Sequence, residues 1–197
     1  GDKGVNWVLN AVEKARLMFG DKDARHRIEH AQVVAPSDFA RFKALGVIAS
    51  MQPTHCTTDM RFCERRVGLE RSKNAYAWRT LLDAGARLAF GSDWPVEPLD
   101  PMRGLYSAVT RKSIEFDVPE GGWFPEQKLT MAEAITLFTK GAAYASFEES
   151  VKGSLEPGRL ADLVLLGKDL FTIEPKEILS TEVLMTVLGG RVVYEKK

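Results

Sequence analysis

Histidine and cysteine are scarce here: 3 histidines and 2 cysteines among 197 residues. Cys56 and Cys63 are too few and too poorly spaced for a disulfide framework or a zinc knuckle. Net charge is missing too, because 27 Lys+Arg balance 27 Asp+Glu. With no field of one sign, neither nucleic acid nor an anionic membrane is expected as a partner. No apolar run approaches the length of a membrane span, and the opening G-D-K-G-V-N has no signal-peptide pattern. A cytoplasmic location is the expectation. What is present is ordinary for a globular chain, at 45% hydrophobic and 27% charged residues. The length suits one good core with an appendage, or two modest domains.

Three short apolar runs each end on a group able to bind a metal or move a proton. They are R-I-E-H at Arg27–His30, V-I-A-S-M-Q-P-T-H at Val47–His55, and L-A-F-G-S-D-W-P at Leu88–Pro95. Each reads as a buried strand followed by a helical pattern. Val5, Val8, Leu9, Val12 and Ala15 predict an amphipathic helix over about residues 4–18. Strands are expected at Arg25–His30, Val47–Met51 and Arg87–Gly91, with helices carrying Phe39, Phe42 and Leu45, then Trp78, Leu81 and Leu82, then Met102–Thr110. A long polar connection is expected across Thr57–Lys73. Thr130-Met131-Ala132-Glu133 has the form of a capping box. The last forty or so residues turn to a β pattern, with strands at Asp162–Leu166 and Glu182–Leu188 and a Gly189-Gly190 hairpin leading into Arg191–Glu195.

Only three strand–helix units are visible, whereas a closed barrel needs eight strands. Three parallel strands cannot close, and their edges need a cover. The chain therefore reads as the back part of a larger protein. The expected division is a partial barrel over 1–150 and a β segment over 151–197.

In α/β barrels the carboxyl rim of the strands is where catalytic residues converge. His30 at such a position suits a metal, and equally a histidine hydrogen-bonded between strand and helix. Asp93, directly after an apolar strand, reads as a ligand or as a turn former. His55 is a substrate contact or a polar loop residue. Trp94 walls a pocket or packs in the core. His26 reads as structural, and Arg61, Arg65 and Arg66 with Glu64 and Glu70 as a solvated helix face.

Taken in order, G-D-K-G-V-N, R-I-E-H-A-Q, S-M-Q-P-T-H, A-W-R-T-L-L-D-A-G, A-F-G-S-D-W-P-V and G-S-L-E-P-G-R-L-A-D-L-V-L-L resemble the amidohydrolase superfamily. The likeness is to its amidohydrolase-3 group, which includes the YtcJ-like proteins. The resemblance implies an α/β fold: the last three strand–helix units of a (β/α)₈ TIM barrel plus the C-terminal part of a small β-sandwich. It implies His30 and Asp93 as metal ligands, Asp93 also as general base, and Gln52, His55 and Trp94 facing a small amide-type substrate. The implied cofactor is a divalent metal, zinc above others, as one or two ions. The implied reaction is hydrolysis of a non-peptide C–N bond by a metal-activated water. The family's first-strand histidine pair, fourth-strand ligand and fifth-strand histidine have no counterpart here, so little activity and weak zinc binding are expected of this chain alone. Uncovered strand edges lead to the expectation of a homo-oligomer. Two other readings compete. One is a non-catalytic half-barrel that binds a partner; the other, a phosphate-binding barrel, lacks a Gly-rich loop before a helix and ranks last.

Overall fold

The computed structural model describes all 197 residues. Helix α1 spans Asp2–Phe19 and buries Val5, Leu9 and Val12, one stripe at helical spacing. Strand β1 (Arg27–Glu29) is shorter than the expected Arg25–His30. Arg25 leaves the extended region at φ 44°, and its guanidinium grips the Glu149 carboxylate at 2.6 and 2.7 Å. His30 ends the strand at φ 69°. Helix α2 (Phe39–Ala44) buries Phe39 and Phe42, and β2 (Ile48–Met51) follows.

The stretch expected to be a connection is instead helical: α3 runs Pro53–Val67 and α4 Leu69–Ser72. Pro53 sits at the first helical position, where its missing N–H goes unneeded. The buried face of α3 holds Thr54, His55, Cys56, Thr57 and Cys63 rather than large apolar side chains. Of its two buried threonine hydroxyls, that of Thr57 is satisfied locally and that of Thr54 has no partner. Thr57 Oγ1 donates to the Thr54 carbonyl at 3.0 Å and lies 3.2 Å from Ser107 Oγ. Arg61, Arg65 and Arg66 are exposed as expected, although Glu64 accepts a hydrogen bond from Trp123 Nε1 at 3.0 Å.

Helix α5 (Trp78–Asp83) and strand β3 (Arg87–Phe90) complete the third unit. The three strands form a parallel sheet in the order β1-β2-β3, with Ile28 opposite Ala49 and Ala49 opposite Leu88. Helix α6 (Pro101–Thr110) is capped by Asp100, which accepts from the Met102 amide at 2.9 Å. Helix α7 (Met131–Thr136) begins with the expected capping box. Arg79 hydrogen-bonds Glu133 of that box and holds its carboxyl down at about 2. A π turn at Leu137–Gly141 leads into α8 (Ala142–Ala145). This helix lies against β3 so closely that a Cβ on Gly141 would stand 2.5 Å from the Leu88 carbonyl oxygen.

The C-terminal strands β4 (Leu163–Leu166), β5 (Val183–Leu188) and β6 (Arg191–Glu195) form an antiparallel sheet in that order. Gly189 and Gly190, at φ 56° and 79°, form the expected two-residue turn. Between β4 and β5 a 3₁₀ turn at Pro175–Ser180 packs on α6, and Leu170 and Ile178 enter the main core. The outer sheet stays open: Val164, Leu165, Leu188, Val192, Val193 and Tyr194 are all about half exposed or more. The chain is thus α/β, a parallel three-stranded sheet with its helices plus a small antiparallel sheet.

Candidate metal centre

Because β1, β2 and β3 are parallel, the residues after their carboxyl ends share one rim. His30 follows β1 directly, Gln52 follows β2, His55 lies in the first turn of α3, and Asp93 comes just beyond β3. His30 and Asp93 are held at φ 69° and 60°. Such left-handed geometry is uncommon for residues other than glycine, and it clusters at functional sites.

One donor atom from each of His30, His55 and Asp93 lies within 4.8 Å of the others. Asp93 Oδ2 is 3.7 Å from His55 Nε2 and 4.0 Å from His30 Nδ1. The two imidazoles stack with centroids 5.6 Å apart. His55 Nε2 is closed off from solvent and has no hydrogen-bond partner. An unpaired buried polar atom costs about 1–3 kcal/mol. A cation seated among the three donors removes that penalty, and two imidazoles with a carboxylate are a donor set that suits zinc. The residues therefore fit the metal implied by the resemblance.

The structure brings His30 and Asp93 together as expected, but the Asp93 side chain is 36% exposed rather than buried. His55 differs more. It is not on a loop but in a helix, 8% exposed, and beside both candidate ligands. Gln52 is buried, and its Oε1 lies 2.9 Å from His30 Nδ1. A carbonyl oxygen only accepts, so the tautomer that makes this hydrogen bond carries its proton on Nδ1 and leaves the Nε2 lone pair free. Trp94 is 65% exposed and so neither fills the core nor walls a closed pocket within these residues. His26 is exposed at the amino end of β1, away from the rim.

Three residues not singled out from the sequence brace this rim. Tyr76 Oη donates to Asp59 Oδ2 at 2.5 Å, and Gln32 Nε2 donates to the same oxygen at 2.8 Å. Burial, then the adjacent carboxylate, push the Tyr76 hydroxyl well above its ordinary range. The knot ties Gln32, two residues past His30, to α3 one turn past His55. Asp59's spacing from His55, one helical turn, was the available signal, but it is visible only once α3 is known to be a helix. Thr58 Oγ1, donating to Glu97 at 2.8 Å, joins α3 to the loop that follows Asp93.

A parallel strand–helix sheet with metal-competent side chains along its carboxyl edge defines the class: an α/β protein with a candidate metal site at the ends of its strands. More narrowly, the chain belongs to the amidohydrolase family, whose Amidohydro_3 model matches residues 1–194. It is 37% identical over 198 residues to YtcJ of Bacillus subtilis strain 168, covering 100% of this chain and 36% of that protein. It is 28% identical over 202 residues to an N-substituted formamide deformylase of Arthrobacter pascens, covering 100% of this chain and 35% of that one. The crystal structure of an uncharacterized metal-dependent hydrolase from Pyrococcus horikoshii OT3 superposes with a TM-score of 0.76 at 31% identity. That match covers 89% of this chain and 34% of the other. The chain spans about a third of the length of the curated relatives it matches.

Proposed function

We propose that this chain supplies the last three strand–helix units of a (β/α)₈ barrel in a metal-dependent amidohydrolase that cleaves a non-peptide C–N bond. The observation that carries the reading is the meeting of His30, His55 and Asp93 at the carboxyl ends of three successive parallel strands. His30 and Asp93 hold a divalent cation, zinc by donor type. Such an ion, when bound, acidifies a water and polarises a carbonyl oxygen. Asp93 is the base: its carboxylate takes the proton from the attacking water and delivers it to the leaving nitrogen. Water thus adds across the bond, leaving a carboxylic acid and an amine. Gln52 orients His30, and Trp94 on the exposed loop faces the substrate, a small amide-type molecule.

The deformylase among the relatives makes N-formylated and N-acylated amines the first substrates to try. A protein of the relatives' full length is expected to hydrolyse one of them, lose that activity to a chelator and regain it with added zinc. The 197-residue chain alone is expected to show negligible turnover. Failure of the zinc-supplied longer protein on the whole panel would favour the second reading, a half-barrel that serves as a binding module.

The open edges bear on that second reading. β1 and β3 each pair with a single neighbour, and β4–β6 present apolar side chains to solvent. Patches of this kind mark association surfaces, and two-fold self-pairing is the simplest cover. The isolated chain is expected to be a dimer or larger in light scattering at micromolar concentration. A cooperative, well-folded monomer would show that it caps its own edges.

A further inference from the structure

At the opposite end of the sheet, where β1 and β2 begin, lies an open cavity of about 500 Å³. Its walls are the last turns of α1 and α2, the loop Gly20–His26, Gly46 and Tyr144. Strands of 3 and 4 residues, about 10–13 Å at 3.3 Å apiece, separate it from the His30–Asp93 rim. Small-molecule sites typically measure about 300–1,000 Å³, so the size is suitable.

The two carboxylates that line the cavity are already paired, Asp21 with Arg16 and Asp23 with Arg25 at 3.1 Å. The Arg25 guanidinium also holds Glu149, and Arg87 lies 4.1 Å from the Tyr144 ring behind it. Lys22, Lys43 and His26 line the same space and have no carboxylate partner. Counting Arg16, Lys22, Arg25, Lys43 and Arg87 against Asp21, Asp23 and Glu149, five cations face three anions. Helices α1 and α2 end here, and carbonyl poles of that kind are worth about half a negative charge each. Arg16 already meets the pole of α2 through the Ala44 carbonyl at 2.9 Å. The cavity stays positive. Its apolar side is supplied by Phe19, 69% exposed and free to cover a ligand, with Leu45 and Tyr144. The Tyr144 ring is held in place between the Arg25 and Arg87 guanidinium groups at 4.0 and 4.1 Å.

We propose that this cavity binds a small organic phosphate, whose dianion meets Lys22 and Lys43 and whose apolar body lies on Phe19 and Leu45. A phosphate monoester carries about 1.5–2 negative charges at neutral pH, close to the excess of cations. Ammonium groups bind phosphate as point charges, and the exposed His26 ring adds an N–H donor at the mouth. The site is independent of the metal centre and stands whether or not that reading does.

The test is calorimetry with phenyl phosphate, inorganic phosphate and phenol on chelator-treated protein, so that no ion at the rim captures the anion. Both the 197-residue chain and a protein of the relatives' full length are titrated. One-to-one binding of phenyl phosphate is expected in both, about tenfold tighter than inorganic phosphate, with phenol silent. Raising salt from about 0.05 to 0.3 M should weaken it several-fold, since the lysines are exposed. Lys22→Ala and Lys43→Ala should each weaken it about tenfold, and Lys43→Arg by less than about threefold, with circular dichroism unchanged. Unchanged affinity in the double alanine variant would place the phosphate elsewhere and overturn the proposal. Binding by the 197-residue chain but not by the longer protein would mean that other residues fill the cavity, and that also overturns it. So does the absence of binding at millimolar phenyl phosphate. Inorganic phosphate binding as tightly as the phenyl ester would overturn the choice of an organic ligand.

Discussion

Asp93→Asn, introduced into a protein of the relatives' full length and assayed at saturating zinc, is expected to lower kcat by about 10²–10⁴-fold with little change in KM. The size is that of losing a positioned general base. Asparagine has the same shape, and it tolerates the left-handed backbone at φ 60° better than most residues. Its amide cannot take a proton from water at neutral pH. Saturating zinc separates the loss of the base from any loss of the ion, since Asp93 Oδ2 is also a candidate ligand. Steady-state kinetics with metal analysis of the purified variant is the measurement. A kcat within a few-fold of wild type would remove Asp93 from the chemical step.

Arg111→Ala is expected to be the most destabilising single change away from the site, by about 3–5 kcal/mol from unpaired carbonyls and lost packing together. The Arg111 side chain is fully buried and meets no carboxylate. Its guanidinium donates to the carbonyls of Trp123 at 2.5 Å, Tyr76 at 2.8 Å and Ala75 at 3.4 Å. It also sits over the Trp78 and Trp123 rings at 4.6 and 5.4 Å. Burial lowers its pKa, yet an arginine keeps its proton under all ordinary conditions. Alanine leaves the Trp123 and Ala75 carbonyls unpaired, the Tyr76 carbonyl with the Trp78 amide alone, and a cavity between two tryptophans. Lysine should rescue little, because an ammonium lacks the planar fork that reaches several acceptors at once. Urea unfolding of the three proteins decides the matter; a loss under about 1 kcal/mol for alanine would mean the carbonyls find other partners. The damage should reach the rim, since Tyr76, clamped by Arg111 through its carbonyl, holds Asp59 through its hydroxyl.

The parallel strands were readable because Ile48–Met51 and Leu88–Phe90 are buried almost throughout, so their sequences are nearly unbroken apolar runs. The capping box and the Gly189-Gly190 turn were readable because each depends on local chemistry. Helix α3 was hidden because its buried face is made of threonine, cysteine and histidine, which give no apolar period. With the helix went the placement of His55, although Pro53 was a start signal in plain view. His30 and Asp93 could be named from their strand ends; the 3.7 Å approach of His55 to Asp93 depends on how α3 leaves β2, which no spacing along the chain encodes. Arg111 was invisible for a different reason. An arginine inside a core is explained only by carbonyls distant in sequence.

Both cysteines are free and buried, so the chain has no covalent cross-link. The three rim donors sit on three consecutive strand–helix units, one on each. An ion gripping all three would act as a removable staple, closing two long loops at a single point and shrinking the unfolded ensemble much as disulfides do. Because that staple comes from solution, the melting temperature of this sheet would rise with free zinc by mass action. Its resistance to unfolding would then be set partly by its surroundings and not by its sequence alone.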